Sequence, residues 1–399
     1  MNYLKGKTFV WGAFLIGSFS VVYFGAPSFT DIEYDAAIQN EKIEQNIKID
    51  ENKKEKEPEF VVTHVETPKA VKGIYMTACV AATPSFRNKL VSLVDETELN
   101  SLVIDIKDYS GTISFKTDNP ILREINGGGC RMADMKEFIG LLHEKGIYVI
   151  GRITVFQDPY FTKKRPDLAV KKESDKTLVW KDYKGISFID AGAREFWDYI
   201  VELSKESYLI GFDELNYDYL RFPSDGDMYD IFYPFSEEVV VADPFFGKAK
   251  VIRDFSKYLY DELAGSDAVL SADLFGMSMT NSDDLNIGQV LEYLAPYFDY
   301  IAPMVYPSHY PRGFIGYQDV NKYPYEIVKF SMDKGVERLL AASSTPNKLR
   351  PWLQDNDYPV PYTPEMVRAQ IQATYDAGLN SWMLWDAANT YTRGALMEE

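Results

Sequence analysis

The chain has 399 residues and a formal net charge of −18 at pH 7, and an acidic excess of that size excludes a nucleic-acid binder, which needs a basic face to displace counterions. Apolar residues make up 46%, enough for one large domain with an appendage or for two ordinary ones. No glycine-rich phosphate loop follows a strand or opens a helix, Gly127-Gly128-Gly129 included, so no nucleotide cofactor is expected.

In chain order, Lys5 and Lys7 precede an apolar stretch from Thr8 to Ala26, long enough at about 1.5 Å per residue to cross most of a bilayer. Basic residues before the span favour a cytoplasmic N-terminus. Residues 1–30 therefore read as an uncleaved signal anchor, with the remainder on the extracytoplasmic side. A cleaved signal peptide, giving a secreted protein, is the rival; Gly25-Ala26-Pro27 is a poor cleavage site for it. Residues 31–70 are dense in Glu, Lys, Asn and Asp, too poor in apolar residues for a core, and read as a charged, flexible tether.

From residue 71 to 399, short apolar runs alternate with amphipathic stretches. Strands are expected at 72–78, 101–108, 148–155, 211–222, 269–276, 300–307, 338–345 and 381–387. Helices are expected at 84–98, 133–145, 193–208, 248–264, 286–296, 321–335 and 364–377. Near-continuous apolar strands imply a parallel sheet buried on both faces, and eight β-α units in this length fit a single closed (β/α)8 TIM barrel. An open doubly wound sheet is the alternative. The long connections (109–132, 156–192, 223–247 and 346–363) all follow strands, and the C-terminal ends of strands are where barrels build their sites.

Strand side chains alternate, so in GFDELNYDYLRFP (211–223) Glu214, Asn216, Asp218 and Leu220 share one face, while Asp213, Leu215, Tyr217, Tyr219 and Arg221 share the other. Facing Asn216 and Asp218 inward is the cheaper choice, because a carboxylate pressed against the helix layer would lack water and partners. Asp213 then reads as a structural partner for backbone or a neighbouring cation. Asp105 and Lys107 on strand two, Arg152 on strand three, Asp273 on strand five and Asp386 after strand eight belong to the same end. Each alone reads equally well as a structural ion pair. Together, clustered acids cost free energy unless some are protonated or paired, and that separation of pKa values is what acid-base chemistry uses. Three histidines are too few and too scattered for a His-rich metal site, and no metal or other cofactor is expected.

The runs KGIYMTA, VIDIKDYSG, RITVFQDPY, GFDELNYDYLRFPSDG, SADLFG, APMVYPSHY and WMLWDAANTY resemble a family of glycoside-hydrolase-type barrels first catalogued as a domain of unknown function and related to amylase-like and chitinase-like glycosidases. The resemblance covers about 71–395 and implies a (β/α)8 hydrolase acting on a polysaccharide. In chitinase-type barrels the strand-four pattern ends on a proton-donating Glu; here that position is Leu220, which argues against their substrate-assisted chemistry. Amylase-like barrels place a nucleophilic Asp late on strand four and an acid on strand five, which fall on Asp218 and Asp273.

The expected mechanism is retaining: Asp218 attacks, Asp273 protonates the leaving oxygen, Arg152 and Lys107 hold Asp218 ionised, and Asp105 and Asp386 bind hydroxyls or steady the cations. Asn216 lies beneath Asp218. Tyr306, Trp352 and Trp385 are expected sugar platforms, and His309 a hydroxyl ligand or loop anchor. Cys79 and Cys130 sit on neighbouring units at the mouth, where pairing is open in an oxidising compartment. A membrane-tethered carbohydrate-binding or scaffold protein without turnover remains the non-enzymatic alternative, and a metal-dependent polysaccharide deacetylase a weaker enzymatic one.

Overall fold

The computed structural model describes residues 61–398. The expected anchor and most of the expected tether lie outside them. Among the described residues no helix is long and apolar enough to cross a membrane.

Eight parallel strands close into a barrel in sequential order. They are β1 (Lys72–Met76), β2 (Ser101–Lys107), β3 (Tyr148–Thr154), β4 (Glu214–Asp218), β5 (Val269–Phe275), β6 (Tyr300–Met304), β7 (Trp352–Gln354) and β8 (Trp382–Trp385). The longer helices of the outer layer are Pro84–Asp95, Met135–Glu144, Arg194–Leu209, Gly247–Leu263, Pro324–Ala341 and Pro364–Asp376. Between β5 and β6 the expected helix at 286–296 shrinks to Leu291–Leu294. Where a helix hands over to a strand, Gly146 (φ 71°) and Gly378 (φ 81°) take the left-handed conformation that lets the chain reverse in a short turn.

The seventh strand is not where the apolar run 338–345 places it. That run is the end of the helix Pro324–Ala341, followed by a turn with Ser343 at φ 58°. Its residues, Arg-Leu-Leu-Ala-Ala, are good helix formers, so an apolar run without β-branched residues continued the helix. The observed β7 has only three residues.

The barrel interior is layered. At the N-terminal end Arg350 Nη1 donates to both carboxylate oxygens of Glu214 at 2.8 Å, and Tyr148 OH donates to Glu214 Oε2 at 3.0 Å. Tyr75, Val103, Ile150, Trp352 and Met383 pack together in the interior, as a barrel core requires. Leu215 and Tyr217 point outward instead, and Tyr217 OH meets Ser204 Oγ of the helix Arg194–Leu209 at 2.8 Å.

Residues 61–70, assigned to the tether from sequence, cross the N-terminal ends of the strands. The charge-dense run ends at Glu59, and Val61, Val62 and Val65 follow it. Val65 N–H donates to Asp213 Oδ1 (2.8 Å), and Thr63 Oγ1 meets His143 Nδ1 (2.9 Å). Asp213 also accepts from Val149 N–H (2.8 Å) and lies 3.0 Å from His143 Nε2. Asp213 is thus a structural clasp at the opposite end from Asp218.

Cys79, in the short helix after β1, and Cys130, in the loop after β2, are joined by a disulfide with Cα atoms 5.0 Å apart. The bridge spans a sequence separation of 51, and closing a loop of that length stabilises a fold by about 2–4 kcal/mol. Reduction is expected to lower the thermal midpoint and to add the mass of two hydrogen atoms to the intact chain. An unchanged midpoint with both thiols free would remove the bridge as a stabilising link.

Candidate active site

Strand β4 ends at Asp218, so its carboxylate stands at the rim of the barrel interior. Arg152 on β3 reaches it sideways: Nε donates to Asp218 Oδ2 at 3.1 Å, and Nη2 donates to the same oxygen. The other guanidinium nitrogen, Nη1, donates to Asp105 Oδ1 at 2.7 Å, and Tyr75 OH donates to Asp105 Oδ2 at 2.6 Å. Asp105, Arg152 and Asp218 are all nearly buried, so one guanidinium is shared between two carboxylates in a place where charge needs pairing. Tyr219 takes φ 52°, a costly conformation for an aromatic residue, and its N–H turns back onto Asp218 Oδ1 at 2.6 Å.

Asp273 on β5 has a different surrounding. Its Oδ1 accepts from Asn216 Nδ2 (2.9 Å) and from Trp352 Nε1 (2.8 Å), both neutral donors. Its Oδ2 has no protein partner among the described residues and opens on a cavity. Burial, and then the charge of Asp218, push the Asp273 carboxyl well above the ordinary carboxylate range. The β4–β5 register pairs Tyr217 with Ala272, so Asp218 and Asp273 occupy the next rung on neighbouring strands. Such strands lie about 4.8 Å apart with their side chains on one face.

The two acids open on a cavity of ≈ 320 Å³ at the C-terminal end of the barrel, within the range of small-molecule sites. Tyr219, Arg221, Phe275, Met304, Tyr306, His309 and Trp385 complete its wall, with Arg152 on the floor. The Trp385 ring stacks on Tyr75 (4.3 Å) and sits 5.2 Å from the Arg152 guanidinium, which leaves it half-buried with a face on the cavity. Tyr306 is buried, and His309 stands edge-on to it at 5.1 Å on the exposed rim.

Three expected residues lie elsewhere. Lys107 does not approach Asp218: the β2–β3 register shifts between Asp105 and Lys107, and the fully buried ammonium binds Asp158 Oδ2 (2.9 Å) and the Thr154 carbonyl (2.6 Å). Trp352 is no sugar platform. With the seventh strand relocated, it faces the barrel interior, only 1% exposed, and serves as the donor that orients Asp273. Asp386 follows β8 and accepts from Ala388 N–H (3.1 Å) and Thr390 N–H (2.6 Å), organising its own loop rather than the cavity.

Tyr75, Tyr219, Arg221, Phe275 and Met304 were not singled out from sequence. Alternation already carried a signal for two of them: Phe275 follows Asp273 by two, and Met304 precedes Tyr306 by two. Tyr219 and Arg221 were assigned outward, an assignment that fails because the strand ends at Asp218 and the positive φ at Tyr219 turns the chain.

A family profile described as "Putative glycosyl hydrolase domain" matches residues 73–391, the whole barrel. The chain belongs to this family. The glycosyl hydrolase barrel is also similar to the PgaB (BpsB) glycoside hydrolase domain of Bordetella bronchiseptica, with a TM-score of 0.58 and 14% identity over 80% of this chain and 95% of that one. An alpha-L-fucosidase isoenzyme 2 from Paenibacillus thiaminolyticus aligns with a TM-score of 0.53 and 11% identity over 84% of this chain and 48% of that one. At those identities the likeness is one of fold. A hypothetical protein from Ruminiclostridium thermocellum ATCC 27405 is 30% identical over 50% of this chain and 96% of that one, with a TM-score of 0.44. Among curated proteins nothing matches. Membership makes the protein a glycosidase by family, with a carbohydrate as its substrate class.

Proposed function

We propose that the barrel hydrolyses a glycosidic bond of an envelope or extracellular polysaccharide with retention of configuration. The observation that carries this reading is the asymmetry of the two acids. Asp218 is ion-paired with Arg152 and capped by a backbone N–H, whereas Asp273 is held by neutral donors and driven towards its protonated form. In the first step Asp273 gives its proton to the leaving glycosidic oxygen while an Asp218 oxygen bonds to the anomeric carbon. In the second, Asp273, now a carboxylate, takes a proton from water as that water displaces Asp218 and restores both groups.

Inverting enzymes separate their carboxyls by roughly 6.5–9.5 Å to admit water, and retaining ones by about 5–5.5 Å. Neighbouring strands and a shared rung favour the shorter span. Trp385 offers a ring face to a sugar, and His309 and Tyr306 line the same cavity. The disulfide is in keeping with an oxidising compartment, and the apolar stretch 8–26 would hold the barrel at a membrane, facing outward.

The test is release of reducing ends from a panel of envelope and exopolysaccharides by the full chain, with the first-formed anomer followed by proton NMR. Release of the substrate's own anomer supports the reading. Opposite configuration replaces retention by inversion, and saturable binding without release across the panel would make the protein a lectin-like binder.

A further inference from the structure

Two arginines border the cavity, and the protein pairs only Arg152 with carboxylates among the described residues. Arg152 commits its Nε/Nη2 edge to Asp218 and its Nη1 to Asp105. Arg221 donates Nη1 to the Phe222 carbonyl at 3.0 Å, and its Nε/Nη2 edge has no protein partner among the described residues. Among the described residues no carboxylate pairs with it there, although it lines the same cavity as Asp218 and Asp273.

The side chain is held in place without being neutralised. Its guanidinium lies 5.1 Å from the ring centres of Tyr219 and Phe275 and 5.8 Å from Phe188. The backbone around it is pinned to the loop after β5: Phe222 N–H donates to the Ile287 carbonyl (2.8 Å), and Gln289 Nε2 donates to the Leu220 carbonyl (3.2 Å). Gln289 Oε1 in turn accepts from Phe275 N–H at 2.8 Å. Packed among rings and only half-exposed, the group loses part of its affinity for its proton to burial, as a fully solvated surface arginine would not.

An Nε/Nη2 edge presents two parallel donors, the arrangement that takes a carboxylate or phosphate through two hydrogen bonds at once. Arg152 displays this edge on Asp218. We propose that Arg221 is a specificity-determining residue that binds an oxyanion on the substrate's sugar at or beside the scissile linkage, so the polysaccharide carries acidic sugars such as uronates. This rests on the glycosidase reading for the identity of the ligand as a sugar, and not on any assumption about turnover.

The test measures binding. The full chain is titrated calorimetrically with glucuronate, galacturonate, glucose, galactose and glucose 6-phosphate at low and at high salt. Expected is tighter binding of the charged sugars than of the neutral ones by about tenfold or more, weakening with salt. Arg221→Gln is expected to abolish that preference while leaving the thermal midpoint near wild type, and Arg221→Lys to keep only part of it, since the ammonium lacks the fork. A preference for glucose 6-phosphate over the uronates assigns the oxyanion to phosphate; the reverse assigns it to carboxylate.

Equal binding of neutral and charged sugars overturns the proposal, as does a preference that survives in the folded Arg221→Gln variant. If Arg221 merely offset the charge of Asp218, the Gln variant would shift the pH profile on a neutral glycan with no change in sugar preference. Hydrolysis of a neutral glycan that is indifferent to Arg221→Gln removes the acidic-sugar inference and keeps the hydrolase. A preference for charged sugars with no glycan ever cleaved does the opposite.

Discussion

Asp218→Asn is expected to reduce turnover by about 10⁴-fold on any polysaccharide the wild type cleaves, because the amide cannot form the bond to the anomeric carbon. The fold should survive. The amide oxygen can accept either from Tyr219 N–H or from the Arg152 Nε/Nη2 edge, one of the two contacts being lost, and Arg152 keeps Asp105 as a charged partner, so the guanidinium is not left bare. The cost of removing one of its two carboxylates should sit below the roughly 3–5 kcal/mol of stripping a buried ion entirely. The check is initial rate against added azide. A small anion admitted to the space beside the substituted side chain takes over the attack from that side, and the glycosyl azide formed has the configuration opposite to the normal product. Turnover near wild type would remove Asp218 as nucleophile. A rescue product with the wild-type configuration would remove the retaining assignment.

How far the site was legible in the sequence follows from where the chain stays extended. Alternation placed Asn216 and Asp218 inward and Leu215 and Tyr217 outward, because all four lie within the regular part of β4. The same rule misplaced Tyr219 and Arg221, one and three residues beyond the strand, where a positive φ ends the period-two pattern. Lys107 failed for a related reason: a register shift between Asp105 and Lys107 is invisible in VIDIKD. Alternation puts Asp213 and Asp218 on opposite faces, and the structure has one clasping the N-terminal segment and the other opening on the cavity.

The seventh strand is the element the sequence conceals most, with a consequence at the site. A three-residue strand carries too little pattern to register, and a longer apolar run nearby drew the assignment. With β7 misplaced, Trp352 fell in a loop, where an exposed indole reads as a stacking surface. In the barrel it is the N–H donor to Asp273, a role no periodicity announces.

Asp273→Asn separates the acid's chemical role from its energetic one. On substrates whose leaving group needs a proton, the rate should fall by about 10²–10⁴-fold, with a smaller loss on an activated leaving group such as a nitrophenolate. The limb of the pH profile reporting a protonated acid should vanish with it. Stability should move in the opposite sense. The wild-type carboxyl has a raised affinity for its proton in the folded barrel, so between the ordinary carboxylate value and that raised value the native state holds more protons than the unfolded chain. Unfolding then releases protons, and stability falls as pH rises through that window. The amide carries no charge at any pH, and its oxygen can accept from Asn216 and Trp352 as Asp273 does. The variant should therefore gain on the wild type as pH is raised from about 4 towards neutrality, read as the difference in thermal midpoint across a pH series. A midpoint difference that is flat with pH, or that grows in favour of the wild type, would mean that Asp273 is ionised in the resting barrel and is not its acid.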